Sequence, residues 1–483
     1  MKRAVLAFLC GVVVAAATAP AAAIAARHDW TRFGFDAARS SYSKAVARIK
    51  GGDIEKLVRR DVAVPGTVDS SPIYLHGVRV AGKKRDVLFA TTSYGRTFAL
   101  DARSRKRLWT FTPGTYAAFD GSPQITQSSP VADRGAGFIY AAAPDGFIRK
   151  LAIRNGHQVT SGRWPARITR DPTHEKIGTA LNLAGRYVIA TTGGYTGDAP
   201  PYQGRVALID RGSGRVARVF NSLCSDRKGV FEPSTCSESG SAIWGRGGAV
   251  VVPGSHRILV ATGDGNFNGK TNWGDSVLEL SADGRRLVGN WTPTNQSSLD
   301  SSDVDLGSTA PALMRAGKRW FALQGGKDGK LRLLKVADLN GHGKACACTG
   351  GELQSIGAPS GNGTYTAPAV WRHDGRSWAF VTGLSGGTAA YRLSGGKHPR
   401  LHEVWANDSS GTSPVIAGGL LYVYSPGGGV EVYRPATGKS VGTLAADGGH
   451  WNTPIVADGR VVIPTGDSNA HQTSGTITIY RRP

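Results

Sequence analysis

SSPIYL (Ser70–Leu75) and, shortly after it, DVLFATTSYGRTFALDARSRKRLWTF (Asp86–Phe111) form one unit of a repeat. The unit opens on hydroxyl residues and a proline and enters an apolar strand. It then returns as a second strand, turns at Tyr94-Gly95, runs out as a third, turns again at DARSRKR and leaves as a fourth. Short apolar runs bounded by Gly, Asp or Asn are strand signatures, and connections this short join antiparallel neighbours.

The opening unit recurs as SSPVAD at Ser128, GTALNL at Gly178, GSAIWG at Gly240, STAPAL at Ser308, YTAPAV at Tyr365, GTSPVI at Gly411 and WNTPIV at Trp451, which makes eight copies. The residues beyond each copy are alike as well: GFIYAAAPDGFIRKLAIRNGHQV, GRVALIDRGSGRVARVF, WFALQGGKDGKLRLLKV and LLYVYSPGGGVEVYRPATGKSVGTL all read strand, turn, strand. No helix-period segment of any length interrupts them. Eight meanders of roughly 40 to 65 residues predict an all-β protein, an eight-bladed β-propeller of four-stranded antiparallel blades, with an array of β-sandwiches as the competing arrangement. The last repeat, VVIPTGDS then GTITIYRRP, stops one strand short, while LVRRDVAV (Leu57–Val64) precedes the first repeat without a partner. The N-terminal strand is therefore expected to complete the last blade and remove a sheet edge.

Lys2 and Arg3 precede the apolar run AVLAFLCGVVVAAATA, and small residues continue up to Ala23-Ile24-Ala25. This is the pattern of a secretory signal peptide over residues 1–25, cut near Ala25 or Ala26, and the apolar run barely reaches the roughly 18 residues that span a bilayer. Residues 26–483 then form a single exported propeller domain, secreted, periplasmic or bound to the cell envelope. Apart from Cys10 the cysteines are Cys224, Cys236, Cys346 and Cys348, an even number suited to an oxidising compartment. Cys224 and Cys236 bracket a polar loop and read as a pair. Cys346-x-Cys348 reads as a tight disulfide rather than half of a metal site, since no second Cys/His cluster stands at ligand spacing.

The net charge of +23 comes from scattered Lys and Arg. Scatter gives a solvated basic surface and argues against a nucleic-acid groove, while anionic envelope polymers or an acidic redox partner suit it. No Gly-x-Ser-x-Gly elbow leads from a strand into a helix, so a hydrolase has little support. The stretch from Gly240 to Lys330 instead gathers Trp244, Asp264, Asp303, Asp305 and Lys327 at strand edges beside Gly-rich turns, where rigid strands present groups to a ligand.

DWTRFGFDAARSSYS at Asp29, the blade ending FALDARSRKRLWTF and the Gly240–Lys330 stretch together resemble the quinoprotein dehydrogenase-like propellers that bind pyrroloquinoline quinone. The resemblance covers nearly the whole mature chain. It implies that Trp244 stacks under the planar quinone, a use suited to a large π-system, and that Lys327 in GGKDG sits by the quinone oxygens. It places Asp264, in Thr262-Gly263-Asp264-Gly265, where the family has a calcium-ligating Asn. WTPTN followed by LDSSDVDLG is similar to the family's catalytic segment, with Asp303 as the base, Ser302 in place of a tryptophan, and Asp305 two residues on. On an extended segment Asp303 and Asp305 would share one face and could meet one cation. Asp198 stands near the place of a further metal-ligating acid in the third blade.

The resemblance thus implies oxidation of an alcohol or sugar with pyrroloquinoline quinone and Ca²⁺ or a lanthanide. Asp303 would be catalytic, Trp244 and Lys327 would bind the cofactor, and Asp264, Asp198 and Asp305 would hold the metal. Without a Cys-x-x-Cys-His haem motif, electrons would pass to an external acceptor such as a cytochrome c. One departure stands out: FDGSPQITQSSPVADRG lacks the family's adjacent cysteines. The alternative is a non-catalytic propeller acting as an envelope scaffold or ligand-binding protein.

Overall fold

Runs rich in Val and Ile that reverse at Gly-containing turns cannot bury a core as single hairpins. In the computed structural model of the protein, which describes residues 28–45 and 47–483, they pair into eight sheets arranged as the blades of a propeller. The signal-peptide expectation falls on residues outside those described. Blade I consists of Ile73–Val80, Lys83–Thr91, Thr97–Asp101 and Arg107–Phe111, each antiparallel to the next. Blades II to VII repeat this order. Innermost strands are short and buried, as at Val415–Ala417, whereas outermost strands such as Leu401–Asn407 are half exposed.

In blade VIII, Ile455–Ala457, Arg460–Thr465 and Gly475–Arg481 are completed by Val58–Val64 from the other end of the chain. The register runs from Val58 opposite Arg481 to Val64 opposite Gly475. The closure expected from the unpaired LVRRDVAV is thus observed. One apolar cluster seals the seam, with Val64 and Tyr74 packed beside Ile477, Ile479 and Tyr480. The cysteines pair as Cys224–Cys236 and Cys346–Cys348.

Blade IV differs from its expected register. GSAIWG does not lead into the inner strand, which is Val250–Val251. A glycine-rich run, Gly245 to Gly248, intervenes, and its glycines sit where the backbone passes too close to its neighbours for a Cβ: one on Gly245 would sit 2.6 Å from the Thr309 backbone, and Gly248 has φ +57°. Gly240–Trp244 is instead a connection tied to its neighbours, with Ile243 N–H donating to Thr192 O (3.0 Å) and Gly263 N–H to Ala242 O (2.8 Å).

The segment from Asp29 to Ala47 crosses the far ends of the inner strands. Trp30 exchanges backbone bonds with Tyr74 of blade I, and Thr31, Ala37, Ser40, Ser41 and Ala47 accept from Ala132, Val251, Val370, Ile416 and Gly459 of blades II, IV, VI, VII and VIII. Asn182 of blade III donates its amide to Ala37 O (2.9 Å). Tyr42–Ser43 adds a parallel strand inside blade VII. Arg39 is 2% exposed at the centre of this segment. It donates to the carbonyls of Phe33 (2.7 Å), Gly247 (2.9 Å), Ala180 (2.8 Å) and Leu181 (3.0 Å).

A buried carbonyl stripped of its donor costs about 1–3 kcal/mol. Arg39→Met should therefore lower unfolding stability by at least about 3 kcal/mol, read as a shift of the urea midpoint. A shift worth under about 1 kcal/mol would mean that the segment is only loosely coupled to the ring.

Candidate functional site

Inner strands begin at the opposite end of the channel, and there the repeat brings one position to the axis. The residue three places before the proline of the repeated unit is Asp69 in blade I, Gln127 in II, Tyr365 in VI and Trp451 in VIII. Arg246 holds the equivalent place in blade IV, three before Ala249. These five meet. Arg246 spans from blade IV to blade I, where its guanidinium reaches Asp69 Oδ1 (2.5 Å) and the carbonyls of Asp69 (2.6 Å) and Gln127 (3.1 Å). Its cationic carbon lies 5.3 Å from the Trp451 ring. Burial alone would raise the Asp69 carboxyl, but Arg246, His450 (2.9 Å) and Ser468 outweigh it and hold the group well below the usual range.

Beside this ion pair lies a cavity of about 330 Å³. Trp244, Asp198, Asp303, Asp305 and Lys327 all line it, together with Lys176, Tyr365, His450 and Trp451. Asp264 belongs to the same place, since its carboxylate and those of Asp303 and Asp305 each offer an oxygen within 4.8 Å of the others. Asp198 is on the exposed rim, its Oδ1 accepting from Tyr202 OH (3.0 Å), outside that trio.

Each acid is placed by local structure. Asp305 is buried, accepts from Asp264 N–H (3.0 Å) and pairs with Lys327 Nζ (2.5 Å). A Cβ on Gly263 would sit 1.8 Å from its carboxylate, so the chain needs glycine there. Asp303 departs from the extended conformation expected for the Asp-x-Asp pair. Helix Gln296–Ser301 ends at Ser302, and Asp303 takes the left-handed position just beyond (φ +50°). Val304 N–H bonds Leu299 O (3.0 Å) and Asp303 N–H bonds Asp300 O (3.4 Å), the paired bonds of a Schellman ending. The two carboxylates converge because of that reversal: Lys327 Nζ also binds Asp303 Oδ1 (2.6 Å), although the Asp303 side chain is 69% exposed.

Charge is crowded here. Burial first, and then the neighbouring Asp305, push the Asp264 carboxyl up to about 9. Asp275, fully buried and accepting from Leu306 N–H (3.0 Å), is raised to about 8 by burial. Burial favours a neutral Lys327, yet Asp305 and Asp303 prevail and raise its pKa. Lys176, 8% exposed, is lowered to about 8 by burial and then by Arg246.

The aromatic wall is a continuous group. His450 stacks on Trp451 at 4.1 Å, Trp451 on Trp244 at 5.6 Å and 24°, and Tyr365 on Trp451 at 6.1 Å. Lys327 Nζ is 5.6 Å from the Trp244 ring. An all-oxygen trio suits a hard cation. Flat aromatic faces flanked by two lysines suit a planar anionic ligand, and the cavity volume falls in the roughly 300–1,000 Å³ range of ligand pockets. The residues present therefore fit a quinone with its cation, with Trp451 sharing the face expected of Trp244 alone.

A family profile described as outer membrane protein assembly factor BamB matches residues 370–476. Comparison with curated protein sequences finds no match. Among solved structures, a quinohemoprotein alcohol dehydrogenase from Comamonas testosteroni superposes with TM-score 0.67 at 16% identity, covering 95% of this chain and 81% of that one. The chain shares the propeller fold of that dehydrogenase. A quinohemoprotein alcohol dehydrogenase of Pseudomonas putida HK5 gives 0.70 at 14% identity over 96% of this chain and 82% of that one. A europium-containing methanol dehydrogenase gives 0.68 at 14% identity over 94% and 98%. BamB from Moraxella catarrhalis gives 0.50 at 14% identity over 88% and 99%.

Sequence reading missed Asp69, Lys176, Arg246, Asp275, Tyr365, His450 and Trp451. For Asp69, Tyr365 and Trp451 a signal was present: aligning the prolines of the repeats puts them in one column.

Lys176 yields a pH test. Its pKa falls from 10.5 to about 8 on folding, so keeping it charged destabilises the folded state below about pH 8, and this cost fades as pH rises to 10.5. In the ligand-free protein Lys176→Met should be the more stable form at pH 7, by on the order of 3 kcal/mol, with the advantage vanishing by about pH 10.5. Thermal melts across that range check it; a constant difference would mean that Lys176 is not the group titrating.

Proposed function

We propose that the protein is an exported dehydrogenase that oxidises an alcohol or sugar with pyrroloquinoline quinone and Ca²⁺ or a lanthanide in the mouth cavity. The observation that carries this reading is the convergence of Trp244, Asp264, Asp303, Asp305 and Lys327 on one cavity. Bound there, the quinone would supply the two-electron acceptor and the cation a Lewis acid.

The chain's own residues do the rest. Asp264 and Asp305 would hold the cation, with Asp198 a further acid at the rim. Trp244 and Trp451 provide the flat surface. Lys327 occupies one oxygen of Asp303, Oδ1, which orients the carboxylate and leaves Oδ2 to take the substrate's hydroxyl proton. The same ammonium stabilises negative charge developing on the ligand's oxygens. Lys176, at the far side of the cavity, offers a second cation for an anionic ligand. With no Cys-x-x-Cys-His motif in the sequence, electrons would leave to an external acceptor such as a cytochrome c.

A second reading, a non-catalytic envelope scaffold or ligand-binding propeller, is favoured by the profile match over residues 370–476 and by Trp451 lying against Trp244. Reconstitution separates the two. Purified protein mixed with the quinone and Ca²⁺ or La³⁺ should show bound-cofactor absorbance and alcohol-dependent dye reduction. Asp303→Asn should keep the absorbance and lose about 10²–10⁴-fold in turnover. Trp244→Ala should lose the absorbance itself. Absence of bound quinone with either ion leaves the scaffold reading, and undiminished turnover in Asp303→Asn removes that residue from the role of base.

A further inference from the structure

A second cluster of ligand atoms lies at the other end of the channel, at the seam between blades VIII and I. Asp458 occupies the turn between Ile455–Ala457 and Arg460–Thr465, half-buried His76 follows buried Leu75 in Ile73–Val80, and His28 immediately precedes the crossing segment. The three side chains offer one ligand atom each within 4.8 Å of one another. His28 Nδ1 is 3.3 Å from Asp458 Oδ1, and His76 Nδ1 is 3.4 Å from Asp458 Oδ2.

These atoms are buried and poorly served. His28 Nδ1, His76 Nδ1 and Asp458 Oδ1 each lack a hydrogen-bond partner, and the Asp458 side chain is only 5% exposed. Native structures rarely leave buried polar atoms so, and three within 4.8 Å of one another call for an explanation. Asp86 flanks His76, its Oδ1 lying 2.9 Å from His76 Nδ1 while accepting from Gly77 N–H (3.0 Å). The imidazoles stack at 4.6 Å, and each brings its Nδ1 to the Asp458 carboxylate. Tyr74 OH donates to Asp458 Oδ2 (3.0 Å) and orients the carboxylate, as outer partners of metal ligands do. Two guanidinium groups also approach Asp458: Arg460 stands 3.7 Å from Oδ2, and the largely exposed Arg48 stands 3.2 Å from Oδ1 in an ion pair without hydrogen-bond geometry. Arg48 has open solvent into which to withdraw.

Bonds of about 2.0–2.1 Å set tetrahedral donors about 3.3–3.4 Å apart, and each histidine Nδ1 stands at that distance from an Asp458 oxygen. Two imidazoles with carboxylate oxygen form a borderline donor set of the Zn²⁺ class, unlike the all-oxygen trio at the mouth. We propose that His28, His76 and Asp458 bind one Zn²⁺-class cation that pins the crossing segment to the closing seam of the ring. The site is structural, since its ligands come from three separate parts of the chain and none lines the mouth cavity. It is independent of the redox reading.

The test uses tag-free full-length protein stripped with chelator. Co²⁺ should produce the intense visible bands of a tetrahedral nitrogen-containing site, and Zn²⁺ should abolish them. His28→Ala and His76→Ala should each weaken Zn²⁺ binding by at least the roughly 10–100-fold that losing even an outer partner costs. Asp264→Asn/Asp303→Asn, at the mouth, should leave the Co²⁺ bands intact. Zn²⁺ should raise the melting temperature of the parent protein and not of His28→Ala. As a check that needs no variant, the Zn²⁺ absorption edge should report two imidazoles in the first coordination sphere. An all-oxygen sphere, or equal Zn²⁺ affinity in parent and histidine variants, would overturn the proposal.

Discussion

Everything in this molecule depends on the pairing of Val58–Val64 with Gly475–Arg481. A ring of sheets has no free ends only if one blade is built from both ends of the chain, and this ladder supplies that blade. Its hydrogen bonds are backbone groups that would otherwise form an exposed edge. The apolar side chains along it join the blade VIII core to blade I, so closure is also a packing event. The crossing segment then ties the inner strands together from one side of the channel. Arg39 replaces a wholly apolar plug there with a cation solvated by carbonyls, which makes its position specific as well as stable.

Closure has consequences for chemistry. Eight inner strands that start at one end of a channel place eight equivalent residues around a small perimeter, and groups from blades I, II, IV, VI and VIII meet although they are hundreds of residues apart. The Asp69–Arg246 pair shows how tightly: a salt bridge joins blades I and IV, which are not neighbours, with both partners buried. A buried charge pair is weak evidence for stability but good evidence for register, because a misplaced blade would leave one charge alone. Above it, carboxylates outnumber nearby cations. Such a collection is costly as apolar protein and favourable as a cation site, which gives the mouth cavity its functional character.

The two ends of the channel differ in kind. At the mouth the donors are oxygens and aromatic faces, open to a ligand from solvent. At the closed end the donors are two imidazoles and a carboxylate drawn from the seam.

Much of this was legible without coordinates. Repeated Ser/Thr-Pro units, strand-length apolar runs and Gly-Asp turns are local features, and eight of them plus an unpaired N-terminal strand leave few arrangements that bury the core. The residues of the Gly240–Lys330 stretch were legible for the same reason, since short turns beside rigid strands expose whatever side chain they carry. Three things needed tertiary structure. The inner strand of blade IV begins beyond Gly248 because of a close backbone approach to Thr309, which no local pattern reveals. Asp303 reaches Lys327 through a helix-ending left-handed residue rather than along an extended strand. Arg246, Trp451, Lys176 and the His28–His76–Asp458 cluster acquire meaning only from partners far away in the chain. Sequence by itself determined the blades, because strand pairing between chain neighbours is a short-range matter. Which side chains meet at the axis was decided by ring closure, because only the summed rotation of eight blades brings distant residues within bonding distance.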